Sequence, residues 1–293
     1  MRSPPIAPGP SGEVRAGSRP AGRPYYAAAV SFPHGQADMV IPNLSVVVPA
    51  YNESARLGPS LAAICEYLER GTDRWELIVV DDGSTDDTAK IVLRAQEACD
   101  QVRLVQLPRN RGKGYAVRAG VLASHGRLVL ISDADLSTPI EELDVLRAAY
   151  RPGYAAVIGS RALAASRIEI RQNRVREVLG RLGNRFIQAL AVPGIADTQC
   201  GFKLLDGDRG RAVFGLATID GWGFDIEVLH LCHRFGWTVV EVPVRWSHAE
   251  GSRLRPGAYL QVLGEVVRTR LRHRHTAEPS LPAVPSVDAK PAA

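Results

Sequence analysis

Two aspartates stand two positions apart, directly after an apolar run in the middle of the chain. The run Arg127–Ser132 has the composition of a buried strand, and Asp133-Ala134-Asp135 follows it. A turn at a strand end can point both carboxylates at one divalent cation. Mg²⁺ and Mn²⁺ usually take one or two carboxylates and complete their shell with phosphates and water. The segment therefore predicts a metal site for a phosphate-bearing ligand, although a capped turn before a helix at Thr138 would also explain it.

A second acidic turn follows another strand-like run. Asp82 comes after Glu76–Val80 and before Gly83, where a carboxylate can accept hydrogen bonds from a uracil or a ribose. The alternative is that the turn only opens the next helix, because Ser84 and Asp87 have the spacing of a capping box. A ligand contact and a helix start both stay open here.

A turn rich in glycine and positive charge lies between these two acidic segments. In Arg109–Gly114 the two glycines would let the backbone and Lys113 approach a phosphate closely. The turn is not a P-loop, because the pattern GxxxxGK[ST] is absent. Arg118, one turn into the following helix, is a similar candidate. A solvated basic turn explains this segment equally well.

An aromatic and acidic segment lies further along the chain. In Trp222–Glu227 a tryptophan precedes two carboxylates. Asp225 could bind a sugar hydroxyl or act as a base. The start of a surface helix is an equally good explanation of the same residues.

Strand-like runs alternate with helical patterns through this part of the chain. The first run, Leu44–Pro49, brings Pro49 and Tyr51 to its carboxyl end. The alternation predicts an α/β fold, with a doubly wound, mostly parallel central sheet and helices on both faces. Ligands of such sheets bind outside the carboxyl ends of the strands. We therefore expect Pro49, Asp82 and Asp133 to converge at one edge.

The composition indicates one large folded domain. With 293 residues, of which 45% are hydrophobic, the chain can bury a full core, and no apolar stretch approaches the roughly 18 to 20 residues of a spanning helix. Four cysteines without a CxxC pair argue against a zinc site or a disulfide framework and favour a reducing cytoplasm. The predicted organisation is a disordered arm (1–40), a catalytic domain (41–257), a basic amphipathic helix (258–275) and a disordered tail (276–293).

Positive charge is concentrated in two segments. The net charge is +5, yet residues 161–185 and 245–275 each hold seven Arg and two Glu. The rest of the chain is therefore acidic, and the two basic segments predict an anionic partner. Arg161, Arg171 and Arg174 are the candidates for contact with an acceptor phosphate and a membrane surface. We expect no nucleic-acid partner, because the acidic loops would repel a polyanion.

Several ordered motifs together resemble one enzyme family. The motifs are Asp81-Asp82-Gly83-Ser84-Thr85, Arg109-Asn110 with Gly112-Lys113-Gly114, Asp133-Ala134-Asp135-Leu136 with Thr138-Pro139-Ile140-Glu141-Glu142, Asp197-Thr198-Gln199-Cys200-Gly201-Phe202-Lys203, and Phe224-Asp225-Ile226-Glu227. From Leu44 to Leu254 the chain resembles the dolichyl-phosphate glucosyltransferase branch of the inverting family 2 glycosyltransferases.

The resemblance implies a GT-A fold in which UDP-glucose donates to a polyprenyl phosphate of the dolichyl type. It implies that Asp135 binds Mg²⁺ or Mn²⁺, with Asp133 in the same metal and nucleotide neighbourhood. Asp225 and Arg118 are the catalytic candidates. The residues assigned to the nucleotide sugar are Pro49, Tyr51, Glu53, Asp82, Lys113, Asp133 and Asp135.

The acceptor sets the catalytic demand. A phosphate monoester has a second pKa of about 6 and is largely a dianion at neutral pH, so it can attack the anomeric carbon without a strong base. Orientation and stabilisation of the leaving group should dominate. We expect Asp225 to position the glucose more than it removes a proton, and we expect a single displacement with inversion.

Other readings of the motifs remain. Dolichyl-phosphate mannose synthases usually carry a His-rich stretch after DADL where this chain has Ser137-Thr138-Pro139-Ile140, so glucose is expected, with transfer from GDP-mannose as the alternative. A nucleotidyltransferase and a non-catalytic protein that binds anionic ligands are more distant alternatives. The sequence leaves the oligomeric state open.

Membrane attachment is expected to be peripheral. Eukaryotic relatives begin with a membrane-spanning helix where this chain has the predicted arm. The basic segments would instead hold the protein on the cytoplasmic face, since an arginine near anionic lipids contributes about 1 kcal/mol.

Overall fold

The structure is a computed structural model that describes residues 41–168, 188, 190–247 and 258–281. Several sequence predictions concern residues outside these ranges. They are the arm of residues 1–40, the acceptor candidates Arg171 and Arg174, and the tail beyond residue 281.

Parallel strands dominate the central sheet. The strands are β1 (Leu44–Ala50), β2 (Trp75–Asp81), β3 (Val102–Gln106), β4 (Leu128–Ile131), β5 (Ala156–Ser160), β6 (Arg167–Ile168), β7 (Lys203–Asp206), β8 (Val239–Pro243) and β9 (Arg245–Trp246). Seven of them form one sheet in the order β3-β2-β1-β4-β7-β5-β8, and β6 pairs with β9 in a second one. Within the large sheet only β7 is antiparallel to its neighbours, β4 and β5. The predicted mostly parallel sheet is therefore confirmed.

Helices cover both faces of this sheet. Their bounds are α1 (Leu57–Glu69), α2 (Thr88–Ala98), α3 (Lys113–Ala123), α4 (Leu143–Ala149), α5 (Gly207–Leu216), α6 (Phe224–Arg234) and α7 (Ala258–His273), with a 3₁₀ turn, Ile140–Glu142, before α4. One core lies between the sheet and α3, α5, α6 and α7. The other lies between the sheet and α1, α2 and α4.

The central strands are apolar along their whole length because both of their faces are covered. Every residue of β1 is buried. Val47 faces the core on the α3 side, whereas Val46 and Val48 face the core on the α1 side. This is the pattern expected of parallel strands between two helical layers, and it explains why the three strands predicted from apolar runs agree with the structure to within one residue at each end.

The predicted helix starts at Ser84 and Thr138 are wrong. Helix α2 begins at Thr88, and no side chain caps it. The Ser84 hydroxyl instead accepts the backbone N–H of Asn52 at 2.8 Å, so the turn joins two loops. After Pro139 the chain makes a 3₁₀ turn without a side-chain cap before α4 begins.

Helix α7 agrees with the helix predicted from residue 258. It packs against α6, and its inward residues Val262, Val266, Thr269 and His273 are buried. Among the described residues, no helix is both long enough and apolar enough to cross a membrane.

A buried carboxylate ties α6, α7 and the loop between α5 and α6 together. Glu227 accepts the backbone N–H groups of Thr218 at 2.8 Å and Ile219 at 2.7 Å, and His273 Nε2 lies 2.7 Å from its other oxygen. Burial acts to raise the pKa of Glu227, but these hydrogen bonds hold it below its ordinary value. A carboxyl with a lowered pKa stabilises the fold above its unfolded pKa, and this contribution is lost as the pH falls through the folded pKa.

We expect Glu227→Ala to lower the free energy of unfolding by about 3 to 5 kcal/mol, because it leaves several buried donors without an acceptor. Urea denaturation at neutral pH measures this. Glu66→Ala is the matched control, since Glu66 is an exposed helical residue paired with Arg70, and its loss should stay within about 0.5 kcal/mol. Equal losses in the two variants would contradict the role assigned to Glu227.

Candidate active site

The carboxyl ends of β1, β2 and β4 meet at one edge of the sheet, as predicted, and β5 also ends at this edge. The backbone N–H of Asp82 donates to the Ala50 carbonyl at 2.8 Å, which joins the ends of β2 and β1. Strand β7 runs in the opposite direction, so its first residue, Lys203, lies at this same edge opposite Ile131 and Ile158. The edge therefore collects acidic loops and one lysine from inside the sheet.

Two carboxylate–lysine pairs form the centre of this edge. Lys113 Nζ lies 2.6 Å from Asp133 Oδ1, and Lys203 Nζ lies 2.6 Å from Asp225 Oδ1. Lys203 is fully buried and also donates to the Cys200 carbonyl. The structure thus brings together three predicted site residues, Lys113, Asp133 and Asp225, from α3, the β4 end and α6.

The pKa values of Asp133, Asp225 and Lys113 are shifted in different directions. Burial acts to raise the pKa of Asp133, but the positive charge of Lys113 holds it below its ordinary value. Burial raises the pKa of Asp225, and Lys203 and Lys113 oppose this increase without cancelling it. Burial acts to lower the pKa of Lys113, yet Asp133 and Asp225 keep it above its ordinary value. The two pairs also interact with each other, because the charge of Asp225 acts on Lys113 and the charge of Lys203 acts on Asp133.

Gly201 allows Asp133 to occupy its place. A Cβ atom at position 201 would overlap with the carboxylate of Asp133. Lys203 follows two residues later, so one short segment supplies both the space for Asp133 and the partner of Asp225. This is the structural reason for glycine and lysine at these two positions of the segment Cys200–Lys203.

Asp135 is the less engaged member of the Asp133-Ala134-Asp135 turn. Its Oδ1 accepts the backbone N–H of Ser137 at 3.0 Å, and Arg56 Nη1 lies 3.8 Å from its Oδ2. The described residues contain no group of three or more metal-binding side chains. Two carboxylates nevertheless fit Mg²⁺ or Mn²⁺ when substrate phosphates and water complete the shell, so the residues present fit a cation that binds together with a diphosphate.

The carboxylate of Asp82 holds the glycine-rich turn. It accepts the backbone N–H groups of Arg111 and Gly112, both at 2.8 Å, and the side-chain amide of Asn110 at 3.0 Å. Burial raises the pKa of Asp82, while the two backbone hydrogen bonds act to lower it. Both oxygens thus have protein partners. Asp82 holds the glycine-rich turn, and the predicted contact with a uracil or a ribose did not include this role.

The loop after β1 is held against the loop after β2. Asn52, with a positive φ of 50°, accepts the N–H of Thr85 at 2.7 Å through its side chain. The N–H of Glu53 donates to Thr88 Oγ1 at 2.8 Å, and the Glu53 carboxylate pairs with Arg56. Glu53, Tyr51 and the end of β1 at Pro49 thus lie beside the Asp82 turn, and Arg56 links Glu53 to the neighbourhood of Asp135.

Arg118 and the glycine-rich turn both contact the loop before α6. The Arg118 guanidinium is buried, pairs with Asp220 and lies 3.3 Å from the Ala217 carbonyl. Gly112 has a φ of 106°, and a Cβ there would lie 2.5 Å from the Asp220 carbonyl oxygen. The described contacts of Arg118 and Gly112 therefore position this loop. Lys113 faces the ligand side, with Nζ 5.4 Å from the centre of the Trp222 ring.

Arg161 makes a two-pronged ion pair at the end of β5. Its Nε and Nη2 lie 2.7 and 2.8 Å from the two carboxylate oxygens of Asp197, and its guanidinium lies 5.5 Å from the Trp246 ring centre. Burial acts to lower the pKa of Arg161, but Asp197 raises it above its ordinary value. Arg161 is thus a fixed positive group beside Asp133, whose pKa it helps to lower.

Sequence reasoning assigned no role to Lys203, Gly201 or Asp220. A signal existed for Lys203, because a lysine between the apolar residues Phe202 and Leu204 is unusual in a buried strand and requires a charged partner. The roles of Gly201 and Asp220 come from contacts between distant segments, which the pattern of the chain does not show.

The chain is similar to dolichyl-phosphate beta-glucosyltransferases of several eukaryotes. It is 36% identical over 243 residues to the protein of that name from Dictyostelium discoideum, which covers 78% of this chain and 74% of that one. It is 37% identical over 244 residues to the one from Mus musculus, which covers 78% and 75%.

Solved structures show the same fold. Glucosyl-3-phosphoglycerate synthase from Mycobacterium tuberculosis in complex with UDP matches with a TM-score of 0.58 at 22% identity, over 84% of this chain and 88% of that one. Mannosyl-3-phosphoglycerate synthase from Rubrobacter xylanophilus matches with a TM-score of 0.59 at 21% identity, over 82% and 79%. At these identities the likeness concerns the fold alone, and it agrees with the expected GT-A fold.

The family match covers the elements that build the site. The family described as glycosyl transferase family 2 matches residues 45–206, from β1 to the end of β7, which is more than half of the chain. Together with the relatives above, this shows that the chain is a glycosyltransferase of family 2 and belongs to its dolichyl-phosphate beta-glucosyltransferase branch.

Proposed function

We propose that this enzyme transfers glucose from UDP-glucose to a polyprenyl phosphate of the dolichyl type and releases UDP. The observation that carries the proposal is the pair of carboxylate–lysine contacts, Asp133–Lys113 and Asp225–Lys203, at the ligand edge of the sheet. Relatives at this level of identity bear the name of this activity. The proposed place of action is the cytoplasmic face of a membrane, with peripheral attachment.

The donor would lie across the ends of β1, β2 and β4. We assign the uridine to the end of β1 at Pro49, to Tyr51 and Glu53 after it, and to the Asp82 turn. We assign the diphosphate to the region of Lys113, Asp133 and Asp135. Asp135 and Asp133 would hold a Mg²⁺ or Mn²⁺ ion, which supplies charge neutralisation for the departing diphosphate. Mycobacterium tuberculosis glucosyl-3-phosphoglycerate synthase has been crystallised with Mn²⁺ and UDP-glucose, which supports a divalent ion in this fold.

The acceptor phosphate would approach from the side of Arg161, with Arg171 and Arg174 as further proposed contacts. One of its oxygens forms the new bond to the anomeric carbon, while the bond from that carbon to the UDP oxygen breaks and its electron pair leaves with UDP. The displacement inverts the anomeric carbon. The acceptor is already a dianion at neutral pH, so the step needs no strong base.

Asp225 fits a positioning role in this reaction. Lys203 fixes its Oδ1 at 2.6 Å in a buried place, so the carboxylate has one defined orientation. A carboxylate held in this way can accept a hydrogen bond from a glucose hydroxyl and keep the anomeric carbon in line with the acceptor. Arg118 would act through Asp220 and the loop before α6 rather than on the sugar.

The donor and the acceptor can be identified in one experiment. The protein is incubated with radiolabelled UDP-glucose or GDP-mannose, each with a polyprenyl phosphate and Mg²⁺, and the lipid is then extracted. We expect label from UDP-glucose in the lipid phase, with release of UDP. Label from GDP-mannose alone would favour the mannose alternative, and release of pyrophosphate would indicate a nucleotidyltransferase.

We expect Asp135→Ala to lower kcat/KM by roughly a hundredfold to a thousandfold, because it removes the more available ligand of the proposed cation. The dependence of UDP binding on Mn²⁺, measured by calorimetry, should disappear as well. Asp100→Ala is the control, because Asp100 is exposed at the end of α2. Near-normal turnover by Asp135→Ala in metal-free buffer would refute the assignment.

The role of Lys203 can be separated from its contribution to stability. Lys203→Met should lower the free energy of unfolding by about 3 to 5 kcal/mol, since it leaves Asp225 buried and unpaired. The pKa of Asp225 should rise further, so the acidic limb of the pH–rate profile should move to higher pH.

The double variant Lys203→Met/Asp225→Asn removes the unpaired charge as well. It should regain most of the lost stability but not the turnover, because the positioning carboxylate is gone. Recovery of both quantities would contradict a role of Asp225 in the reaction.

A further inference from the structure

Helix α7 carries a second face, which points away from the core. This outer stripe consists of Gly264, Val267, Arg268, Leu271 and Arg272, all of them exposed. Their spacing of three and four residues places them on one side of the helix. Val267 is 44% and Leu271 is 62% exposed, so two aliphatic side chains lie in the open beside two arginines.

The arginine side of the outer stripe borders a cleft. The cleft has a volume of about 490 Å³ and lies between α7 and the loop of Thr218–Trp222. Arg111, Arg268 and Arg272 are among its lining residues, together with Gly112. Arginines that line a cleft suit a phosphate, because a guanidinium group can bind phosphate oxygens through two parallel hydrogen bonds.

The two carboxylates of the cleft are already engaged. Asp220 pairs with Arg118 and, at 3.2 Å, with Arg111. Glu265 accepts the backbone N–H of Gly223 at 2.9 Å. No carboxylate of the described residues forms an ion pair with Arg268 or Arg272. Within the described part of the chain, the positive charges of Arg268 and Arg272 are therefore not compensated by an ion pair, whereas Arg111 is paired with Asp220.

We propose that the outer stripe and the adjoining cleft form a docking site for an anionic phospholipid of the membrane. Arg268 and Arg272 would bind the lipid phosphate, while Val267 and Leu271 would insert among the neighbouring acyl chains. The proposal rests on the proposed function, since an enzyme with a lipid-linked acceptor must reach a membrane. It assigns that contact to α7, separately from the arginines near Arg161.

A lipid fits this surface better than a soluble anion does. Val267 and Leu271 offer nothing to a free phosphate or a nucleotide, whereas burial of each side chain among acyl chains is favourable. The two arginines stand one turn apart on the same helix and can keep their charged ends in the head-group layer while their stems contact the apolar layer. Charge and apolar surface thus match one amphiphilic partner.

The proposed site is in contact with the loop before α6. Glu265, on the same helix, holds the backbone of Gly223, and a Cβ at Gly223 would overlap with the Glu265 carboxylate. Trp222, which lines the cleft, stands over Lys113. Lipid binding at α7 would therefore place the ligand edge of the sheet at a fixed orientation to the membrane.

Vesicle flotation with the full chain tests this proposal without any turnover. We expect the protein to float with vesicles of phosphatidylcholine and phosphatidylglycerol and to remain behind with phosphatidylcholine alone. Arg268→Gln/Arg272→Gln should weaken the partition roughly 25-fold, as two arginines at about fivefold each imply. Val267→Asn/Leu271→Asn should weaken it as well. Unchanged flotation of both variants would overturn the proposal.

A matched control comes from α2, where Leu93 is 48% exposed beside the exposed Arg94. Leu93→Asn/Arg94→Gln should float like the unaltered protein, and an equal loss in this variant would mean that total charge rather than α7 decides binding.

Inorganic phosphate at millimolar concentration should not displace the protein from vesicles. Displacement by phosphate, with no effect of Val267→Asn/Leu271→Asn, would identify a soluble-anion site and overturn the lipid assignment.

Turnover with a short-chain polyprenyl phosphate in detergent separates this proposal from the proposed function. The Arg268→Gln/Arg272→Gln variant should keep its turnover in detergent while it loses flotation. A variant that loses turnover in detergent but keeps flotation would place the two arginines in catalysis instead and overturn the docking assignment. Flotation that depends on α7 would stand even if the chain transferred no glucose.

Discussion

The compensation of buried charge at one edge of the sheet is the constraint on which the rest of the site depends. A buried carboxylate without a partner costs several kcal/mol, and Asp225 is buried while Asp133 is largely enclosed. Lys203 and Lys113 remove that cost only because the antiparallel strand β7 and the start of α3 deliver them to the same place. The reversed strand in an otherwise parallel sheet is thus what brings a lysine among the acidic loops.

The carboxylates at this edge differ in how many protein partners their oxygen atoms have. Both oxygens of Asp82 accept hydrogen bonds from the turn of residues 110–112, and both oxygens of Asp220 pair with arginines, Arg118 and Arg111. These acids hold basic loops in place and keep Lys113 directed toward Asp133. Asp135, by contrast, accepts one backbone hydrogen bond and has a distant arginine. Asp135 therefore has fewer protein partners than Asp82 or Asp220.

The sequence predicts well whatever depends on local pattern. Strands β1 and β2 are continuous apolar runs because helices cover both of their faces, and the loops after parallel strands must then share one edge. Capping is less local than it looks: Ser84 matches the pattern of a helix start, but Asn52 from another loop uses its hydroxyl. The partners of Asp82, Gly112 and Gly201 are likewise set by segments far away in the chain. Contacts between distant segments produce no periodic pattern in the sequence. The motifs could therefore be found from the sequence, but the contacts of each residue could not.

The charge balance of the site also bears on how its ligands bind. Asp133, Asp135 and Asp225 face Lys113 and Lys203, so the carboxylates outnumber the lysines, and Arg161 is matched by Asp197. A diphosphate entering such a site meets an excess of negative charge, which costs energy in a partly dehydrated place. Under the proposed function, a divalent cation that binds with the nucleotide would reverse this balance and give Asp135 a further partner. The proposed acceptor phosphate would meet the same excess of negative charge, so its attraction would have to come from positive groups outside the centre.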